Sequence, residues 1–357
     1  MDPELSILFL CTFPKLNKNG VHRFALEIIN GVKSKEPRVF ELYWSVEKGK
    51  LSSYIDLFNN YLAVIKRAKI IHFVSLTPYN IPFLVLAKLL RKKIIISYHG
   101  NYLAEVSIFK KPHIFIPFWI SDRISRSLAH KIVSASVFLI NEMKINSKKC
   151  HVIPYPYDLK ILDDVVKKNL KTIPTEILFA TATNFNIHEK VKGLKYLLDA
   201  FESISKKVEG VRLLVFGFGK YLESYKTKYI NNQNIVFMGF RDDFRDFLTG
   251  IDAYVHVSSL DNQPYAIIEA LTSGKVIICN DLGGLVETID PINNYVVSLN
   301  TESILNVLHE VIDLIRNRPN DFYEKGNKNK KFAADRYSSH IISNEYIKLY
   351  NKLLVNE

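Results

Sequence analysis

Cysteine is scarce in this chain. The three present, Cys11, Cys150 and Cys279, are too scattered among 357 residues for a disulfide framework, and none has metal-ligand spacing. A reduced, cytoplasmic setting is the expectation. Long apolar runs are missing too. No stretch approaches the roughly 20 residues that span a bilayer, so no membrane-spanning helix is expected. The apolar run at 5–13 lacks a basic segment before it and a small-residue cleavage site after it, and reads as a buried strand rather than a signal peptide. Repeats of solenoid length and low-complexity tracts are absent. With 48% hydrophobic and 24% charged residues, the composition is that of a globular protein long enough for two domains.

Acidic charge is short in one half only. Residues 1–171 carry 27 Lys and Arg against 13 Asp and Glu, whereas residues 172–357 carry 21 against 23. The net charge of +12 therefore arises in the first half. Such asymmetry suggests an anionic partner there: nucleic acid, an anionic membrane surface or a phosphorylated substrate. A merely solubilising surface is the alternative. Against nucleic acid, the cations are dispersed over many elements and no DNA- or RNA-binding module is recognisable.

What the chain does have is strand–helix alternation from end to end. Strands are expected at 5–11, 38–43, 70–75, 94–99, 131–135 and 151–153. Val21, Phe24, Ala25, Ile28, Ile29 and Val32 mark a helix face, and 81–90 forms another helix. Residues 155–174 break the rhythm with Pro154-Tyr155-Pro156 and Pro174, which places a linker over 156–174 between domains at 1–155 and 175–335. The pattern restarts with strands at 176–181, 211–216, 235–238, 253–257, 276–279 and 295–298, and helices at 191–205, 221–229 and 264–273. The expected fold is α/β: two Rossmann-like parallel-sheet domains facing a cleft.

The segment from Ser258 to Glu287 carries the chemistry. It leaves a buried strand and enters a helix at Pro264, whose first-turn N–H groups suit a phosphate. Asp261 and Asn262 precede the helix, placed to accept hydrogen bonds from hydroxyls. Glu269 lies among Ile267, Ile268, Ala270 and Leu271, leaning toward the helix start. Two carboxylates and a helix N-terminus would suit sugar hydroxyls beside a diphosphate. The simpler alternative is a helix cap at Asp261 and a wet-face Glu269. Gly217-Phe218-Gly219 is not a dinucleotide fingerprint, because Leu222 takes the third glycine position, which disfavours a nicotinamide enzyme. Arg241, Asp242, Asp243 and Arg245 read as a solvated charge cluster. The stretch from Ile108 to Arg126 packs Phe115, Phe118 and Trp119 among Lys110, Lys111, Arg123 and Arg126, a composition that settles at anionic membrane surfaces.

Ser258-Ser259, Asp261, Pro264, Glu269-Ala270, Gly274, Val276, Gly283-Gly284 and Glu287 stand in the order and spacing of a known donor-site signature. The segment resembles that of the GT-B glycosyltransferases of family 4, the glycosyl transferases group 1. Lys192-Gly193 with Leu197-Leu198, the strand end Leu213–Gly219, Gly239-Phe240, Tyr98-His99-Gly100, Gly20 and Arg336-Tyr337-Ser338 have counterparts in that family. The resemblance implies a metal-independent, retaining transfer from a nucleotide-diphosphate sugar, with no cofactor, to a glycan or lipid-linked acceptor of a surface polysaccharide. The enzyme would be peripheral at the inner face of the cell membrane.

By the same resemblance, Lys192 would neutralise the donor diphosphate, Glu269 would bind ribose hydroxyls and Asp261 the transferred sugar. The backbone of Asn262, Pro264, Tyr265 and Ala266 would contact sugar and phosphate. Gly239 and Phe240 would border the base, Gly20 and Gly217 would admit the nucleotide closely, and His99 would reach the sugar or phosphate. The helix at 336–357 would cross back to the first domain. Departures are Asp261 for the family's first Glu, Asn19 for a second glycine, Lys275 for proline, and a missing Gly-Arg ahead of Lys192, for which Lys190 is the candidate replacement cation. The alternatives are a nucleotide-sugar 2-epimerase, a non-catalytic subunit of the same architecture, or a basic nucleic-acid-binding protein.

Overall fold

The computed structural model describes residues 5–11, 20–44, 51–107, 111–171 and 175–355. The chain divides into two compact units, Met1–Asp158 with Tyr337–Glu357, and Leu159–Arg336.

The first unit is built on six parallel strands: β1 (Ile7–Cys11), β2 (Val39–Tyr43), β3 (Ile70–Phe73), β4 (Lys93–Tyr98), β5 (Lys131–Ser134) and β6 (Cys150–Val152), ordered β2-β1-β3-β4-β5-β6. β1 and β3 are buried throughout, as strands covered on both faces must be. The helices are α1 (Gly20–Lys33), α2 (Leu51–Ile65), α3 (Ile81–Leu89), α4 (Tyr102–Ser107), α5 (Pro112–Leu128) and α6 (Val137–Glu142). Gly20 opens α1 and is exposed, while Asn19 lies outside the described residues.

The second unit repeats the plan with β7 (Ile177–Ala182), β8 (Val211–Phe216), β9 (Ile235–Gly239), β10 (Ala253–His256), β11 (Val276–Asn280) and β12 (Tyr295–Val297). Their order is β12-β11-β10-β7-β8-β9, again all parallel. Its helices are α7 (His188–Ser205), α8 (Leu222–Lys228), α9 (Phe244–Gly250), α10 (Tyr265–Thr272), α11 (Gly283–Val286), α12 (Thr301–Asn317) and α13 (Pro319–Tyr337). The core joins Phe179, Val255 and Ile278 from the sheet to Leu197, Leu198 and Phe201 of α7 and Leu308 and Val311 of α12. Both domains therefore have the expected α/β, Rossmann-like, parallel-sheet architecture.

Two segments tie into these units by specific bonds. Within 159–171, Lys168 Nζ donates to Asp243 at 2.5 Å and Lys171 Nζ to Asp252 at 3.0 Å, both in the second unit. The last helix, α14 (Ser339–Val355), belongs to the first unit. Ser339 donates to Glu27 at 2.8 Å, and the Tyr350 hydroxyl lies 2.8 Å from His72 Nδ1. His72 is wholly buried on β3, with its other nitrogen 2.8 Å from Ser97 Oγ. Burial pushes its pKa down to about 3, so it is neutral in the fold.

Candidate active site

In an open parallel sheet, ligands collect at the carboxyl ends of the strands where the strand order reverses. In the second unit that point lies between β7 and β10, which are neighbours in the sheet although β8 and β9 intervene in sequence. The loops leaving these two strands hold the candidate residues. α7 begins at His188, three residues before the expected Val191, because polar His188, Glu189 and Lys190 form its first turn. Lys192 is exposed on that helix. Gly193 faces the β10 loop so closely that a Cβ there would stand 2.8 Å from the Ser258 Cα. That contact brings the start of α7 against the segment leaving β10.

Asp261 lies in this segment and is bonded from both sides. Lys190 Nζ donates to Oδ1 at 2.5 Å, and His256 Nε2 lies 3.2 Å from Oδ2. Its side chain is 9% exposed. Burial pushes the carboxyl up, but Lys190 and His256 outweigh it and hold it well below the usual carboxylate range. Behind His256, its Nδ1 lies 3.3 Å from the Tyr254 hydroxyl, which accepts the Ala182 N–H at 3.2 Å. Serines fix the loop around this network. Ser258 N–H donates to Asn280 Oδ1 at 2.8 Å, and Ser259 Oγ donates to the Glu189 carbonyl at 2.8 Å.

Pro264 caps α10 with extended backbone, Tyr265 is its first residue, and Ala266 is half-buried. Asn262 is buried, its backbone pressed against Gly284 of α11. Glu269, also buried, pairs with Arg245 Nε of α9 at 3.5 Å. Arg245 is therefore part of this site, which corrects the reading of 241–245 as a solvated face; Arg241 and Asp243 do pair with each other at the surface. Asp261 and Glu269 both act electrostatically on Tyr254, whose hydroxyl is pushed above its ordinary range by burial first and by the two carboxylates after it.

The β8 end adds an aromatic pair. Gly217 has φ 132°, and a Cβ there would meet the Thr183 carbonyl at 1.9 Å, so only glycine lets the β8 loop close on the β7 loop. Phe218 is thereby turned outward, 51% exposed, against Phe240, 46% exposed, with ring centroids 5.4 Å apart and planes at 85°. Gly239, beside Phe240, has open space where a Cβ would stand. Phe218 escaped the sequence reading, although an aromatic between two glycines at a strand end was a usable signal. Tyr254 and His256 were equally readable as alternate residues of a strand that ends five residues before Asp261. Nothing local in the sequence pointed to Arg245.

His99, at the end of β4, belongs to the first unit. Its Nε2 donates to the Val74 carbonyl at 2.5 Å, its Nδ1 lies 3.0 Å from the Tyr155 hydroxyl, and its ring meets Phe24 edge-on at 4.7 Å. Burial lowers its pKa to about 4, so the ring is neutral with its proton on Nε2. α5 presents Ile116, Trp119 and Ile120 to solvent, with Arg123 over the Trp119 ring at 5.6 Å. Ile108, Phe109 and Lys110 lie outside the described residues. Among the described residues, no helix is long and apolar enough to cross a membrane.

Residues 176–317, which hold this site, match the family described as glycosyl transferases group 1. A Campylobacter jejuni protein, N,N'-diacetylbacillosaminyl-diphospho-undecaprenol alpha-1,3-N-acetylgalactosaminyltransferase, is 28% identical over 167 residues. The match covers 46% of this chain and 43% of that protein, so less than half of the relative is spanned. Among solved structures, sucrose-phosphate synthase of Thermosynechococcus elongatus superposes with a TM-score of 0.77 at 13% identity, over 99% of this chain and 100% of that one. Anabaena HepE in complex with UDP and glucose gives 0.71 at 14% identity, over 97% and 99%. The chain thus has the GT-B fold, and its residues 176–317 are similar to the glycosyl transferases group 1.

Proposed function

We propose that this protein is a retaining, metal-independent glycosyltransferase that moves a sugar from a nucleotide-diphosphate sugar to a glycan or lipid-linked acceptor in bacterial surface polysaccharide synthesis. The observation that carries this reading is Asp261, bonded by Lys190 and His256 at the β7/β10 switch point, with the buried Glu269 on the helix that follows and Lys192 on α7. Glu269, oriented by Arg245, accepts hydrogen bonds from the ribose, and Asp261 accepts them from the sugar. The exposed rings of Phe218 and Phe240 offer apolar faces to the base. Lysine ammonium groups neutralise the diphosphate as it leaves. In the reaction the bond from the anomeric carbon to the phosphate oxygen breaks, and the acceptor oxygen bonds on the same face. The acceptor proton passes to the departing phosphate.

The UDP and glucose held by HepE, and the undecaprenol-linked substrate in the Campylobacter protein's name, support a nucleotide-sugar donor and a lipid-linked acceptor. In the first unit, the apolar face of α5 and the surrounding cations favour a place at the inner face of the cell membrane. The test is product analysis. Purified protein given UDP-sugars and an undecaprenyl-diphosphate glycan should yield an elongated lipid whose new linkage keeps the donor's anomeric configuration. An inverted linkage would refute retention, and epimerised donor without elongation would replace the assignment.

A further inference from the structure

Asp261 has two partners of unequal permanence. His256 is 7% exposed in its side chain and has a partner at each ring nitrogen. The Asp261 carboxylate only accepts, so the ring proton facing it is on His256 Nε2, while Nδ1 lies against the Tyr254 hydroxyl, which accepts the Ala182 N–H. The chain of donors runs from backbone to tyrosine to histidine to carboxylate, and every member is fixed by a strand or its loop. Lys190 differs. Its side chain is 24% exposed, it sits on the first turn of α7, and it ends a flexible four-carbon stem.

Residues 181–192 contain Lys190 and Lys192 and no arginine, so these lysines are the cations this loop brings to an anionic ligand. A carboxylate whose Oδ1 carries an ammonium is poorly disposed to take a sugar hydroxyl there until the ammonium moves. We propose that Lys190 is an exchangeable counter-ion, holding Asp261 in the empty site and passing to the donor diphosphate on binding, while His256, backed by Tyr254, keeps Asp261 in place for the sugar. This rests on the donor reading above and makes His256 and Tyr254 positioning residues. Glu269, paired with Arg245, is the other carboxylate that acts electrostatically on Tyr254.

UDP tests the exchange, since it carries the diphosphate without a sugar, with GDP and ADP run beside it. Calorimetric titration of wild type, Asp261→Asn, Lys190→Gln and the double variant is expected to give a distinctive pattern. Lys190→Gln weakens the nucleotide about tenfold, as loss of a charge-assisted bond should. Asp261→Asn tightens it about fivefold, because Lys190 is already released, and that gain disappears in the double variant. A permanent structural pair predicts no gain, or equal gains in both backgrounds, and either result overturns the exchange. If wild type, folded by its unfolding curve, binds none of the three nucleotides, the donor reading fails and the exchange fails with it. Nitrogen-15 spectra of His256 supply the second readout. A proton on Nε2 in wild type, with a mixed tautomer in Asp261→Asn, is expected, whereas a proton on Nδ1 alone in wild type overturns the positioning role.

Discussion

Glu269 illustrates how a single residue changes meaning between sequence and structure. On sequence it is a carboxylate among apolar neighbours, compatible with a wet helix face. In the fold it is buried and has Arg245 as counter-ion. If Glu269 holds the ribose as proposed, Glu269→Gln should keep the shape and weaken nucleotide affinity about tenfold or more, measurable by calorimetry. Phe218→Ser should also weaken it, with the unfolding temperature of the free protein unchanged because the ring is exposed. The buried His72 and the partly buried His99 lead to a pH prediction. Their pKa values fall to about 3 and about 4 in the fold, so the unfolded chain binds more protons below its ordinary histidine range. Stability should therefore fall as pH drops from about 6.5 toward 4, by about 1.4 kcal/mol per pH unit for each histidine. Chemical denaturation across that range should show the slope, and His72→Asn should reduce it.

At the scale of elements, the strands were the most legible part, because buried parallel strands appear as short β-branched runs whatever their partners. α10 was likewise readable from its proline and apolar run. α2 was not. Leu57, Tyr61 and Ile65 form its buried stripe, but Ser52-Ser53 and Asn59-Asn60 give the stretch the composition of a loop. The start of α7 was misplaced because its first turn is polar, and that turn matters most, since Lys190 reaches Asp261 from it. Motif spacing located Asp261 and Glu269 but could not reveal Arg245, which comes from another helix through tertiary packing. The Lys192-Gly193 pair has a steric meaning in the fold: Gly193→Ala would drive a methyl into the Ser258 backbone. It should shift the β10 loop, cost about 1–3 kcal/mol and reduce nucleotide binding, both visible in thermal unfolding with and without ligand.

Across the whole molecule, topology explains where the first unit's charge accumulates. Parallel strands all start on one edge, and there lie Lys66, Arg67 and Lys69 ahead of β3, Arg91 to Lys93 at β4, His130 and Lys131 at β5, and Lys148 and Lys149 at β6. Their convergence is felt by His130, whose pKa is lowered by burial and then by Lys88, Lys93 and Lys149. Some of these lysines cap carbonyls, as Lys149 does to Arg126 and Ser127. Leu89 and Leu90 are exposed at the same end of α3. Sedimentation with phosphatidylglycerol vesicles should show salt-sensitive binding that Trp119→Ser with Ile116→Ser largely removes; binding indifferent to both salt and substitution would refute the membrane contact.

The central claim is that the second unit binds a nucleotide-diphosphate sugar at the β7/β10 switch point. Thermal unfolding of the intact chain with UDP, GDP, ADP and their sugars tests it most directly. At a hundredfold excess over Kd, one ligand should add about 2.7 kcal/mol of stability and raise the unfolding temperature by several degrees, an effect lost in Glu269→Ala. A folded protein whose unfolding temperature none of them raises, or one stabilised equally in Glu269→Ala, would contradict the account.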